Sequence, residues 1–242
     1  MICEPSSRAA LPDLLALFRH SRALRDEDPA QSVALARRAA DLAEALDAEL
    51  LGTDEVADLQ VRAWMELGDA CRAAGDLFAA EATFAHATVV RREGTGDPLL
   101  RALLLEHRAA LLGELGRASE ALAFLETARR TYEELRDQHL VGRVLVGKGT
   151  QLAAAGEPLR ALQLLREGLG KLDRERDPQL ALAAVHATAR ALADCRRLWE
   201  AHALLLQHQA LHAQHAGPAV LRRRRALEER IQAGLGRQPS PA

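Results

Sequence analysis

The chain has 242 residues, of which 27% are charged and 3% aromatic, with a formal net charge of -2. That length can bury a sizeable core, and the near-neutral balance gives no global attraction to nucleic acid or an anionic membrane. The three cysteines, Cys3, Cys71 and Cys195, form no CxxC pair and no zinc spacing, which argues against a disulfide framework or a structural zinc. Ala and Leu dominate and β-branched residues are sparse, the composition of a mostly helical soluble protein. Lys148 and Lys171 are the only lysines among 32 basic residues, and asparagine is absent; the arginine bias reads as genome composition. The N-terminus lacks a basic n-region with an uninterrupted apolar run. No window approaches the roughly 18 apolar residues of a membrane span, so a cytoplasmic location and no membrane partner are expected.

In chain order, residues 1–10 read as a disordered lead-in. A first amphipathic helix follows from about Leu11 to Asp26, with Leu14, Leu15, Leu17, Phe18 and Leu24 available for burial. Asp28-Pro29 opens a second helix over 29–50. The carboxylate accepts from the free N–H groups of the first turn, and proline has no N–H to leave unmade there. Gly52 ends it by accepting a left-handed backbone. Residues 11–52 thus form an N-terminal hairpin.

From there a period shows. Gly75, Gly116, Gly156, Arg196 and Gly236 lie 41, 40, 40 and 40 residues apart. Five positions on, Ala80, Ala121, Ala161 and Ala201 repeat. Helix starts recur as Asp97-Pro98, Asp137-Gln138, Asp177-Pro178 and Gly217-Pro218. Turn glycines, packing alanines and caps answer to different physical demands, so their agreement on one period marks an array of helical hairpins. The units are 53–96, 97–136, 137–176 and 177–216, followed by a half-repeat at 217–236 and a disordered tail at 237–242. Leu105, Leu112, Leu145, Leu152, Val185 and Leu192 are expected to fill the space between hairpins. The helix in the half-repeat either caps the last hairpin or begins a further unit. Its Leu221, Leu227, Ile231 and Leu235 would leave an apolar edge open to self-association.

The unit containing Trp64, Leu67-Gly68, Cys71, Ala80, Phe84 and Ala87 resembles a tetratricopeptide repeat (TPR), with Cys71 in place of the usual tyrosine and Arg92 in place of the late proline. Later units keep Leu105, Ala109, Leu112, Ala121, Leu125 and Ala128, then Leu145, Gly149, Leu152, Ala161, Leu165 and Gly168. The unit at 177–216 keeps Val185, Ala189, Leu192, Ala201 and Leu205 but puts His208 where a small residue is expected. The resemblance implies an all-α, right-handed α-α superhelix (solenoid) of stacked hairpins. More loosely, the chain is similar to bacterial repeat proteins associated with signalling or transcriptional regulation.

The resemblance further implies a groove lined by the first helix of each unit. Its positions here are Arg62, Met65, Asp69 and Arg72; then Leu103, Glu106 and Ala110; then Arg143, Val146 and Thr150; then His186 and Arg190; and Arg223 and Arg230 if the last helix docks in register. The carboxylate clamp of some relatives uses asparagine and lysine at these positions, and asparagine is absent here. The arginines instead favour an acidic peptide or protein face, since guanidinium forks pair carboxylates bidentately. A scaffold that binds a protein is the leading expectation; a regulatory sensor for a small ligand or regulator partner is the alternative.

Other candidate chemistry is weaker. Gly142 to Thr150 imitates a phosphate-binding loop, but Gly149 follows Lys148 where a magnesium-holding hydroxyl is needed, and the segment lies inside a predicted helix. His208 and His212 share a helix face with His215 one turn on, and they could contribute to a metal site only with further ligands; polar surface is the plainer reading. Arg222 to Arg225 spread round a helix without interleaved aromatics, so nucleic acid is not an expected partner. No nucleophile elbow or HExxH is present, and neither catalysis nor a cofactor is expected.

Overall fold

The computed structural model describes residues 7–236. The expected tail at 237–242 and the first six residues of the expected lead-in lie outside the described residues. Residues 7–10, expected to precede any helix, form the first turn of α1 (Ser7–Leu24), and Ala10 is already buried. The chain continues as α2 (Pro29–Glu44), α3 (Ala48–Leu51), α4 (Thr53–Ala73), α5 (Leu77–Val90) and α6 (Pro98–Glu114). After these come α7 (Ala118–Glu134), α8 (Gln138–Ala154), α9 (Pro158–Lys171), α10 (Pro178–Asp194), α11 (Leu198–Gln207), α12 (Gln209–His215) and α13 (Pro218–Leu235). Among the described residues there is no strand, and no helix is long and apolar enough to cross a membrane. The chain divides at the Gly116 turn into two compact units, 1–116 and 117–242.

The punctuation read from the sequence has a physical counterpart at the aspartate caps and at four of the five turn positions. Asp28, Asp97, Asp137 and Asp177 accept the N–H groups of Gln31, Leu99, Leu140 and Leu180 at 3.0, 2.8, 3.0 and 2.9 Å. Each satisfies a donor that has no partner within its helix. At the hairpin turns, Gly75, Gly116 and Gly156 take φ of 84°, 75° and 82°. Arg196, the fourth in register, takes φ of 61° despite its side chain, a conformation that costs a non-glycine residue about 1–2 kcal/mol. Local backbone bonds hold it there: Arg196 N–H donates to Ala193 C=O at 3.0 Å and Arg197 N–H to Leu192 C=O at 2.9 Å, the paired bonds of a helix-terminating motif. Gly236, the fifth in register, keeps a right-handed φ of -62° and ends α13.

Two predicted helices are broken. The helix expected over 29–50 stops at Glu44, and Asp47 accepts the Glu49 N–H at 2.8 Å to start the short α3. The aspartate offers the backbone a local alternative to helix continuation. The second helix of the 177–216 repeat breaks at His208, which separates α11 from α12.

In the 1–116 unit, α2 packs on α1 and α4, and α4 on α5 and α6. Leu14, Phe18, Val61, Leu67, Cys71, Ala80, Phe84 and Leu100 form the buried core, while Leu15, expected inward, is 55% exposed. Gly68 receives Phe84 so closely that a Cβ there would lie 2.5 Å from the ring. In the 117–242 unit, α8 packs on α7 and α9, and α10 on α9 and α11. The backbones of α8 and α9 meet at Gly142 and Gly168, where a Cβ on either would lie 2.9 or 2.8 Å from the other's carbonyl oxygen. Helix α13 packs on α11, with Ile231 fully buried, Leu235 buried and Gly234 against the Leu198 side chain. Of the four apolar residues expected to leave an open edge on this helix, Leu221 alone is exposed.

Candidate functional site

In the 1–116 unit the predicted first-helix face is largely occupied by the protein's own charges. Met65 and Asp69 of α4 are 5% and 4% exposed, so they present little surface to a partner. Asp69 sits among Arg25, just past the end of α1, Arg72 of α4 and His107 of α6; Arg72 Nε donates to its Oδ1 at 2.9 Å, and His107 Nδ1 lies 3.6 Å away. One turn earlier, Glu66, 3% exposed, accepts from Arg22 Nε at 2.7 Å and from Arg25. Arg72 also pairs with Glu114 at the end of α6, and Arg62 lies 3.8 Å from Asp97. Burial by itself would raise the Asp69 carboxyl; His107, Arg25 and Arg72 outweigh it and hold the group well below the usual carboxylate range. Leu103 and Glu106 are half-buried, and Leu103 packs on the core. Glu66, Arg25 and His107 were not among the sequence candidates, because nothing local shows that α1 and α6 deliver charge to the same stretch of α4.

In the 117–242 unit the face is more open. The Arg143 guanidinium lies over the Tyr132 ring, 5.6 Å from its centroid, and donates to the phenol oxygen at 3.0 Å. Tyr132 is fully buried, so this arginine is held in place by packing as well as charge. Val146, one turn on along α8, is buried at 6%, and the Thr150 hydroxyl donates back to the Val146 carbonyl at 2.9 Å. Arg190 is exposed on α10 and makes no ion pair with a described residue. Arg230 donates to Asp194 at 2.6 Å. Arg223 is exposed beside Arg224, which pairs with Glu228 at 2.8 Å.

His186 faces inward to its neighbours. Its Nε2 lies 2.7 Å from Nε2 of His212, whose Nδ1 lies 2.8 Å from the His208 carbonyl. The histidine set read from spacing is therefore not a shared surface: His208 and His212 are buried at 4% and 1% while His215 is exposed. Among the described residues no group of three or more His, Cys, Asp or Glu is placed to hold a metal. Burial, then His212, Arg224 and Arg223, pull His186 down from 6.5 to about 4. A base whose folded value is depressed takes up protons in the unfolded chain first. The stability it contributes is therefore complete above about pH 6.5 and falls as the pH drops towards about 4. His186→Gln is expected to flatten the pH dependence of unfolding across that window, read from urea midpoints at stepped pH; an unchanged slope would remove His186 as its source.

The segment that imitates a phosphate loop lies within α8. Lys148 Nζ pairs with Glu126 at 2.8 Å, and Gly149 makes room for Leu165 and Ala161. Bonds from Arg129 and Lys148 draw the Glu126 carboxyl down to about 2.

No family model matches the chain, and no curated protein matches it. Solved structures do. BtubC (BKLC) from P. vanneervenii aligns with a TM-score of 0.61 and 18% identity, covering 89% of this chain and 95% of that one. A putative kinesin light chain of Podosopora anserina with nearly identical TPR-like repeats aligns at 0.55 and 19% identity, covering 87% and 98%. A point variant of that same protein aligns at 0.55 and 18%, covering 84% and 95%. With packed helical hairpins in each unit, the fold is that of a TPR-like helical-repeat protein.

Proposed function

We propose that the chain is a non-enzymatic scaffold that presents the first-helix face of its 117–242 unit to an acidic segment of a protein partner. One contrast carries this reading. Carboxylates of the 1–116 unit take up Arg25 and Arg72, whereas Arg190 of α10 stands exposed without one. Arg143 adds a guanidinium already oriented by Tyr132, which lowers the ordering cost of pairing it with a carboxylate. Val146 and Thr150 lie beside it along α8, and Arg223 and Arg230 extend the basic character onto α13.

Arg190→Glu is the clean test, because no described group depends on that side chain. It is expected to weaken capture of a partner from extract of the native cell by at least about tenfold, the effect of reversing one charge in a desolvated pair, with helix content and unfolding midpoint unchanged. Arg143→Glu should weaken capture as well but also lower stability, since it strips the Tyr132 hydroxyl of its donor. Undiminished capture by the Arg190→Glu protein would sink the proposal.

A further inference from the structure

We propose a second, separate site in the 117–242 unit: the cavity beside His208, bounded by α9, α10 and α11, takes a small organic carboxylate. In the repeat register, the position of His208 is held elsewhere by Ala87, Ala128 and Gly168, all buried at helix contacts. At Gly168 the small residue lets α9 meet Gly142 of α8 backbone to backbone. In the last full repeat both partners are larger: Leu182, 1% exposed, stands in the register position of Gly142, and His208 in that of Gly168. A close backbone approach there is sterically barred. The second helix breaks at His208, with φ of -102° and ψ of 19°, and a cavity of about 420 Å³ remains beside it. That size is within the range of small-ligand sites.

The chemistry of the lining is selective. Leu169, Leu192 and Leu204 give an apolar floor, and Gly170 leaves open space where a side chain would stand. His208 is 4% exposed, yet its ring makes no hydrogen bond with a described residue. Among the described residues, Arg25 Nε and Asp58 Oδ1 are the side-chain atoms sealed from solvent without a partner. The His208 ring nitrogens are not among these sealed atoms, and the residue lines the cavity. Burial, Arg174 and His212 hold the imidazole below its usual range, so at neutral pH it offers one donor and one acceptor. At the mouth, Arg174 is exposed and makes no ion pair with a described residue, while Arg166 gives one guanidinium nitrogen to Glu200 at 2.8 Å and keeps its other donors. A guanidinium at the mouth, a buried imidazole lacking a partner and a leucine floor together fit a carboxylate with a short hydrocarbon body. Glu200 also lines the cavity, but its carboxylate is taken up by Arg197 and Arg166, so the lining favours an anion over an amine.

The test uses the full chain with labelled histidine, following the His208 ring resonance, assigned with His208→Ala, during titration with phenylacetate and 4-methylpentanoate. Phenylacetamide serves as the uncharged control. A saturable shift is expected with both carboxylates, with affinity at least about tenfold weaker for the amide and for Arg174→Gln, the loss that follows from removing one charged pair. Gly170→Leu, which fills the cavity from an open position, should abolish the shift with helix content intact. Arg190→Glu should leave it unchanged, which separates this site from the docking face. No saturable shift, equal affinity for the amide, or full binding by Gly170→Leu would each overturn the proposal.

Discussion

Asp69→Asn is expected to lower the stability of the 1–116 unit by about 3 kcal/mol, because it removes the buried carboxylate that Arg25 and Arg72 share and leaves them only Glu66 and Glu114. The substitution keeps the shape of the side chain, so the loss isolates charge. Arg25 and Arg72 then face a neutral amide in a setting where their side chains are each 21% exposed. The pH response follows from the same geometry. The folded carboxyl is held below its ordinary value of 3.8, so its contribution is complete above about pH 4 and is lost as the pH falls further. Loss linked to His186 in the other unit begins higher, near 6.5. Each unit carries one tryptophan, Trp64 in the first and Trp199 in the second. Single-tryptophan variants should therefore report the 117–242 unit weakening at higher pH than the 1–116 unit. An unfolding free energy for Asp69→Asn, from urea titration, within about 0.5 kcal/mol of the parent would mean that the network contributes no more than an exposed pair.

Gly168→Leu is expected to cost the 117–242 unit about 3 kcal/mol or more, at the upper end of what overpacking does in a core. The Val146 Cγ2 lies 2.9 Å from the added Cβ, and two of the atoms in the way are backbone: the Gly142 carbonyl oxygen at 2.8 Å and the Val146 nitrogen at 3.0 Å. Neither can yield without moving α8. Gly170→Ala, two residues along the same helix, meets nothing within 4 Å and should gain about 0.5 kcal/mol by restricting the unfolded chain. Opposite signs from two glycines in one turn would confirm that helix approach, rather than helix propensity, decides the first. Equal small effects would show that α8 and α9 can separate without loss.

The repeat itself was legible because it rests on local rules. Caps at Asp97, Asp137 and Asp177, left-handed turns at Gly75, Gly116 and Gly156, and small residues at Ala80, Ala121, Ala161 and Ala201 each answer to the few residues around them. Even Arg196 was found by register, and its backbone obeys the turn although its side chain opposes it. The break at Asp47 was missed because a capping carboxylate and a helix-interior carboxylate look alike in a periodic stretch.

The proposed docking face was only half legible, since its chemistry depends on what other helices bring to it. Spacing along α4 placed Asp69 and Arg72 on one side of a helix, but only the packing of α1 and α6 turned them into a buried, internally neutralised network. Spacing along α11 and α12 aligned His208, His212 and His215, but tertiary contacts divided them into a cavity lining, a buried partner of His186 and a solvated residue. The sequence by itself therefore determined the helical hairpins, their period and their caps, because those are set by neighbours three or four residues away. The tertiary structure alone decided which charges remain available, because burial and pairing across 40 residues are properties of the stacked helices rather than of any one of them.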